Sequence, residues 1–243
     1  VSLVAALDGE SSLAIGNAIG SNTANIGLVL GTMALIRPLQ MTSKVYKKLI
    51  TLLLLVSLIM ILPLIDNAIS VNEGRLILGG FILVMIWLVR FSLKLSNENI
   101  EQDDFKKNNY KTFTTKKALT LLILGLVLLF TGADIIVHNA VKIAHTLEIS
   151  ETVIGITIVA IGTSLPELIT SITAIKKGHT DIGIGTIVGS NIYNILMIMG
   201  VASVITGIAV VPGMFTDYLV MIGFAVVLVA FLRSGIIPRP AGI

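Results

Sequence analysis

The apolar stretch IVAIGTSLPELITSI, in the second half of the chain, contains polar residues that an ordinary hydrophobic helix does not favour. Thr163, Ser164 and Glu167 place two hydroxyls and a carboxylate within one helical turn, and Ser164 and Glu167 share a face. Pro166 removes a helix hydrogen bond, and the kink is predicted to free carbonyls of the preceding turn, including that of Ala160. Hard cations bind carboxylate, hydroxyl and carbonyl oxygens. The stretch therefore predicts half of a cation site.

Two other apolar segments carry a serine and an asparagine four residues apart. Ser21 precedes Asn25 in one segment, and Ser190 precedes Asn194 in the other. This spacing puts the members of each pair on one helix face, where they present oxygen atoms together. Two interpretations remain open: the pairs bind a cation with Glu167, or they only hydrogen-bond neighbouring helices, as Ser and Asn do in membranes.

The composition assigns these elements to a membrane. Of 243 residues, 55% are hydrophobic and only 13% are charged, about half the share of charged residues in a soluble domain. There is no cysteine, which excludes disulfides and thiolate chemistry. Continuous apolar runs indicate helices rather than barrel strands. Residues 1–7 are predicted to end an earlier span, and seven full spans are predicted at 13–36, 47–66, 74–95, 117–140, 152–175, 182–206 and 216–232.

Basic residues near the span ends predict the orientation of the chain. Alternate connections hold fifteen Lys and Arg on one side and only Arg75 and Lys142 on the other. The positive-inside rule makes the first set cytoplasmic. That side includes the longest polar stretch, 96–116, which we predict to be a cytoplasmic linker loop. The basic balance is therefore a topological signal, and no nucleic-acid partner is predicted.

The two halves of the chain repeat each other. Residues 1–36 aligned on residues 170–205, an offset of 169, share 12 identities without a gap, including the motif G-S-N-x-x-N. The turn DGES in the first copy is acidic, whereas the equivalent KKGHTD in the second is basic. By the charge rule these turns lie on opposite sides, so the copies are predicted to be inverted, as in many secondary transporters.

Glycines recur in the same register in both copies. Gly16 and Gly20 in the first copy correspond to Gly185 and Gly189 in the second. Small residues at this spacing are typical of membrane helices that approach closely, and we predict such contacts here.

These motifs resemble those of a known family. GTSLPELITSITA with GSNIYNILMIMG, and GNAIGSNTANIGLVLG earlier, are similar to the alpha repeats of the cation/calcium exchanger superfamily, and in particular of prokaryotic sodium/calcium antiporters. The resemblance covers essentially the whole chain and implies an all-α integral membrane protein, an inverted-repeat transporter of 5+5 helices with seven to eight present here. It also implies cation ligands from the side chains of Glu167, Ser164, Thr163, Ser190, Asn194, Ser21 and Asn25, and from the carbonyl of Ala160.

The resemblance also predicts the limits of the chain. We predict a first repeat at 1–95, a linker at 96–116 and a second repeat at 117–243. The family's first repeat has its own G-T-S-x-P-E, and the offset puts that glutamate three residues before Val1. The family also has one more helix after the last span. We therefore expect a fragment truncated at both ends, without exchange activity by itself because one of two key carboxylates is missing.

The predicted function is secondary active antiport, most consistent with Na⁺/Ca²⁺ exchange by alternating access in the plasma (inner) membrane of a prokaryote. The alternatives are H⁺/Ca²⁺ or K⁺-linked exchange and, in another class, an ion channel. An intramembrane protease is not favoured, because Ser164 lies in G-T-S-L-P rather than G-x-S-x-G. The predicted partners are the lipid bilayer and the transported ions, with no resident cofactor and no enzyme activity. The sequence leaves the oligomeric state open.

Overall fold

The computed structural model describes residues 6–7, 11–41, 44–103, 114–148, 160–210 and 213–242, and this part of the chain is mostly helical. The first repeat comprises α1 (Ser11–Ala24), a π-helix (Asn25–Leu30), α2 (Gly31–Ile36), β1 (Leu39–Gln40), α3 (Lys44–Ile59), a 3₁₀ turn (Leu62–Leu64), β2 (Ala68–Ile69) and α4 (Val71–Asp103). The second comprises α5 (Thr115–Thr146), α6 (Ala160–Thr163), α7 (Leu165–Lys176), α8 (Thr180–Tyr193), a π-helix (Asn194–Ile198), α9 (Met199–Thr206), β3 (Ile208–Ala209), α10 (Met214–Ser234), β4 (Ile236–Ile237) and a 3₁₀ turn (Arg239–Gly242).

Six helical stretches in the described residues are long and apolar enough to cross a membrane. Their bounds are Ala14–Ile36, Val45–Leu64, Val71–Lys94, Thr115–Thr146, Thr180–Ile205 and Met214–Ser234. They confirm six of the seven predicted spans to within a few residues. The seventh, predicted at 152–175, begins outside the described residues and continues as α6 and α7. The all-α prediction is thus confirmed for the described part of the chain.

The repeat found in the sequence is also a repeat of backbone conformation. The two π-helices begin at Asn25 and Asn194, and β1 and β3 begin at Leu39 and Ile208, so both pairs are 169 residues apart. A π-helix is rare and is usually a short local insertion within an α-helix. Its recurrence at the same repeat position shows that the shared motif specifies the same local backbone twice.

Each short sheet combines one strand from each repeat. β1 pairs antiparallel with β4, so that Leu39 faces Ile237, and β2 pairs antiparallel with β3, so that Ile69 faces Ile208. Exchanging the two repeats converts one sheet into the other, as a two-fold relation requires. These strand pairs give hydrogen-bond partners to backbone N–H and C=O groups that lie outside the helices. Such partners matter in an apolar environment, where no water can replace them.

Buried side chains concentrate where the two repeats meet. In the 18-residue apolar stretch within Thr180–Ile205, 61% of the residues are buried inside the protein. In the corresponding stretch within Thr115–Thr146, only 6% are buried. α5 exposes large apolar side chains along most of its length, including Leu121, Leu128 and Ile136. A helix that is apolar all round and little covered by protein is suited to face lipid.

Two predictions differ from the structure. The linker predicted at 96–116 begins later, because α4 continues to Asp103 through a segment that contains neither Gly nor Pro; residues 104–113 lie outside the described part. The predicted close approach at the repeated glycines is wrong for Gly16, Gly185 and Gly189, where an added Cβ would meet nothing within 4 Å among the described residues.

A tight backbone contact at a glycine is found instead between α4 and α9, at Gly74. A Cβ on Gly74 would lie 2.6 Å from the Cβ of Ser203 and 2.9 Å from the backbone nitrogen of Val204. Gly242, which follows the start of β4 by six residues as Gly74 follows the start of β2, packs equally tightly on the carbonyl of Gly31. Close packing at this position is therefore a property of both repeats.

We predict that Gly74→Ala lowers the free energy of unfolding by about 1–3 kcal/mol, because the added methyl overlaps backbone that cannot move aside. Gly79→Ala is the matched control on the same helix, since a Cβ there meets no described atom within 4 Å. This control should be neutral or stabilise by up to about 1 kcal/mol through helix propensity. Unfolding midpoints in detergent measure both variants, and equal midpoints would contradict the packing argument.

Candidate cation site

The helix that carries the acidic motif is broken at Ser164. α6 ends at Thr163 and α7 begins at Leu165, with Pro166 in its first turn. The backbone N–H of Ser164 donates to the carbonyl of Ile161 at 3.0 Å, a tighter step than the α-helical one. The kink predicted from Pro166 is confirmed. It places Glu167 in the first turn of α7, where the helix dipole favours a negative charge.

The carboxylate of Glu167 is only partly satisfied. The hydroxyl of Ser190, on α8, donates to Oε1 at 3.2 Å. Oε2 is buried and accepts no hydrogen bond from any described residue. A buried carboxylate with an unpaired oxygen is costly in an apolar environment. A bound cation would remove that cost.

Two more predicted ligands meet across the repeat boundary. The hydroxyl oxygens of Ser21, on α1, and Thr163, on α6, lie 2.9 Å apart in a hydrogen bond. Thr163 Oγ1 also lies 3.3 Å from Asn17 Oδ1 and donates to it. Sequence reasoning missed Asn17, although its spacing of four from Ser21 puts both on one helix face.

Buried side-chain oxygens without a partner belong to three of the predicted ligands. Within the described residues, the buried polar side-chain atoms that lack a hydrogen bond are Asn25 Oδ1, Ser164 Oγ and Glu167 Oε2. Buried polar atoms are nearly always paired in native proteins, so such exceptions require a physical reason. All three are oxygens, all belong to predicted ligands, and oxygen is the donor that hard cations prefer.

Other hydroxyls in these helices behave differently. Those of Ser57, Ser203 and Thr186 donate to the carbonyl four residues earlier in their own helix. Ser164 is 2% exposed and makes no such bond, since its backbone lies at the break between α6 and α7. The helix break therefore leaves a buried hydroxyl oxygen available to an ion.

Asn25 and Asn194 each bond to an asparagine of the other repeat. Asn25 Nδ2 donates to Asn191 Oδ1 at 2.9 Å, and Asn194 Nδ2 donates to Asn22 Oδ1 at 3.0 Å. Sequence reasoning singled out the serine and the last asparagine of G-S-N-x-x-N and missed the first asparagine, Asn22 or Asn191, although the repeat alignment displayed both. The hydrogen-bonding interpretation is thus confirmed for the amide nitrogens of Asn25 and Asn194. The cation-binding interpretation stays a prediction, and Asn25 Oδ1 has no described partner that would oppose it.

The predicted ligands thus fall into separate hydrogen-bonded contacts, one of which contains the carboxylate of Glu167. The structure joins Glu167 to Ser190 and Thr163 to Ser21, while Ala160 begins α6 just before the break. In the described ranges no group of three or more His, Cys, Asp and Glu could hold a metal. The arrangement suits a hard cation that binds reversibly, because most of its ligands are neutral.

We predict that Ser164→Ala leaves the ion-free protein as stable as the wild type, because the lost hydroxyl has no partner to forfeit. The same variant should weaken Ca²⁺ binding about fivefold, equivalent to roughly 1 kcal/mol. Unfolding midpoints recorded over a Ca²⁺ titration measure both effects.

Ser171→Ala is the matched control, since Ser171 is fully buried on α7 and its hydroxyl bonds the carbonyl of Gly183 at 3.5 Å. It should leave the Ca²⁺ dependence unchanged. Equal Ca²⁺ responses in the two serine variants would remove Ser164 from the site.

Comparison with known proteins places this geometry in a family context. The family described as "Sodium/calcium exchanger protein" matches residues 1–90 and 117–242. CaxA of Alkalimonas amylolytica is 39% identical over 246 residues, which cover 98% of this chain and 76% of CaxA. The inner membrane protein YrbG of Escherichia coli strain K12 is 35% identical over 249 residues, covering 99% of this chain and 74% of YrbG.

A solved structure supports the same assignment at the level of the fold. The sodium-calcium exchanger NCX_Mj, soaked with zero Na⁺ and Ca²⁺, superposes with a TM-score of 0.81 at 33% sequence identity. The match covers 99% of this chain and 75% of that structure. The resemblance inferred from the motifs is confirmed, as is the inverted-repeat transporter fold. The chain belongs to the sodium/calcium exchanger protein family.

Proposed function

We propose that the full-length gene product exchanges Na⁺ for Ca²⁺ across the membrane by alternating access, at a site that contains Glu167. The observation that carries the proposal is the set of buried, partnerless oxygens on Asn25, Ser164 and Glu167. Family membership supports an antiporter, and the name of the NCX_Mj structure supports the choice of ions. A transporter family also favours the absence of enzyme activity.

In this mechanism protein oxygens replace the hydration shell of the ion. Glu167 supplies the charge, and the hydroxyl of Ser164 and the amide oxygen of Asn25 supply neutral ligands. Thr163, Ser21, Ser190, Asn194 and the carbonyl of Ala160 complete the proposed ligand set. Na⁺ and Ca²⁺ compete for the carboxylate of Glu167, so the site must release one ion before it binds the other. That competition couples the two fluxes.

The pseudo-two-fold arrangement supports alternating access. Inverted repeats let a transporter adopt two conformations in which the repeats exchange roles, opening one central site to either side. The two strand ladders join the repeats at equivalent positions. Each ladder is only two residues long, so it restrains its loops without fixing the helices as one rigid block.

We further propose a plasma-membrane location with the basic end in the cytoplasm. The β1–β4 end holds Arg37 and Arg239, and Arg239 donates to the carbonyl of Ile36 at 3.2 Å. The opposite end, near β2 and β3, holds Asp66 and Glu73. This asymmetry supports the positive-inside assignment, and the description of YrbG as an inner membrane protein supports the membrane.

Glu167→Gln should abolish Ca²⁺ uptake driven by an outward Na⁺ gradient, because the charge that both ions compete for is lost. The measurement is ⁴⁵Ca²⁺ uptake into proteoliposomes that contain the full-length gene product. Glu73→Gln is the control, since Glu73 only accepts bonds from Ser70 at the start of α4. It should retain uptake, and survival of uptake in Glu167→Gln would refute the site.

The same vesicles separate the alternative functions. Ca²⁺ uptake that is driven by an outward H⁺ gradient, or that requires K⁺, would show that the counter-ion is H⁺ or K⁺ rather than Na⁺ alone. Ca²⁺ flux down its own gradient without any counter-ion would indicate a channel. Exchange of Na⁺ for Ca²⁺ predicts that neither occurs at a comparable rate.

A further inference from the structure

Four asparagines lie where the ends of α1 and α8 continue into the two π-helices, and we call them the asparagine tetrad: Asn22, Asn25, Asn191 and Asn194. Asn22 corresponds to Asn191 and Asn25 to Asn194 by the repeat offset. Asn22, Asn25 and Asn191 are each 1% exposed, and Asn194 is half-buried. Four amides buried at the meeting point of two repeats need a reason, because each must find several hydrogen-bond partners.

The backbone fixes the orientation of the two central amides. Asn22 Nδ2 lies 3.2 Å from the carbonyl oxygen of Asn191, and Asn191 Nδ2 lies 3.3 Å from the carbonyl oxygen of Asn22. A carbonyl oxygen only accepts hydrogen bonds. The amide nitrogen must therefore point at the carbonyl in both residues, and each Oδ1 must point the other way.

That orientation passes to the second pair. Asn191 Oδ1 accepts from Asn25 Nδ2 at 2.9 Å, and Asn22 Oδ1 accepts from Asn194 Nδ2 at 3.0 Å. With its nitrogen held there, Asn25 directs Oδ1 away from the tetrad, where it is buried without a partner. The chain of bonds thus decides which end of the Asn25 amide is free.

We infer that Asn22 and Asn191 are positioning residues, each of which turns the amide oxygen of an ion-ligand asparagine of the opposite repeat toward the cation. This inference rests on the proposed function, in which Asn25 and Asn194 are ligands. An amide presents oxygen or NH₂ depending on its rotation, and only oxygen attracts a cation. The tetrad makes the ligand oxygen of one repeat depend on a side chain of the other.

The arrangement predicts an unusual pattern of coupling. Asn191 lies on the same helix as Asn194, three residues away, but acts on Asn25 in the other repeat. If a substitution at position 191 only distorted its own helix, it would weaken Ca²⁺ binding through Asn194. If Asn191 positions Asn25, the substitution weakens Ca²⁺ binding through Asn25 instead. Only in the second case are the effects of substitutions at Asn191 and Asn25 on the Kd coupled across the two repeats.

The experiment measures equilibrium ⁴⁵Ca²⁺ binding to the purified full-length gene product. Asn191→Leu should raise the Kd by about tenfold to a hundredfold, the range typical for residues that orient a metal ligand. Asn25→Ala should raise it similarly. The double variant Asn191→Leu/Asn25→Ala should bind no more weakly than Asn25→Ala alone. By contrast, the effects of Asn191→Leu and Asn194→Ala should be additive.

Two variants guard against a loss of folding. Tyr218→Phe removes a buried bond between helices, from its hydroxyl to the carbonyl of Ser57 at 2.8 Å, and should leave the Kd for Ca²⁺ within twofold of wild type. If Asn191→Leu does not fold, Asn191→Ala replaces it, because it also removes the oxygen that accepts from Asn25. The same lack of additivity with Asn25→Ala is expected, and additive effects contradict the inference.

The outcomes separate the two proposals. Additive effects of Asn191→Leu and Asn25→Ala, in a protein that exchanges Na⁺ for Ca²⁺, overturn the positioning role alone. A wild type that binds Ca²⁺ with the predicted coupling but performs no exchange overturns the proposed function alone. A wild type that binds no Ca²⁺ overturns both.

Discussion

Polar groups inside a bilayer must find their partners within the protein, and most of this structure satisfies that constraint. Where α3 ends, the N–H of Ile61 donates a hydrogen bond to the carbonyl of Leu58, and the hydroxyl of Tyr218 donates one to the carbonyl of Ser57. Helical hydroxyls such as that of Ser203 return to their own backbone. Against this background the oxygens of Ser164 and Glu167 that lack a described partner are exceptions, and the proposed cation would satisfy them.

The same constraint explains why the repeats interlock rather than merely pack. A single repeat would leave β1 and β2 as unpaired strand edges, and each finds its partner in the other repeat. A single repeat would also leave the buried amides of Asn22 and Asn191 without the carbonyls they bond. The two-fold relation therefore pairs these strand edges and these amides of one repeat with groups of the other repeat.

This organisation divides the molecule into a polar centre and an apolar periphery. α1, α8 and the π-helices that follow them carry the asparagines and are largely buried, whereas α4 and α5 expose many large apolar side chains in the described part of the chain. Because Glu167 is partly buried at this centre, its carboxylate charge would attract a cation in a medium of lower dielectric constant than water. A transporter needs this combination, because its site must hold an ion firmly and still release it.

The sequence by itself determined the membrane class, six of the span positions, the repeat, and the break before Glu167, because hydropathy, register and proline act locally along the chain. It also identified the oxygens of Ser164, Glu167 and Asn25 by their types and spacing. Only the tertiary structure decided which of them keep a free oxygen, that Ser190 faces Glu167, and that Asn22 and Asn191 hold the neighbouring amides. It also showed close packing at Gly74 rather than at the repeated glycines Gly16, Gly185 and Gly189. These outcomes depend on distances between segments far apart in sequence, which no local pattern encodes.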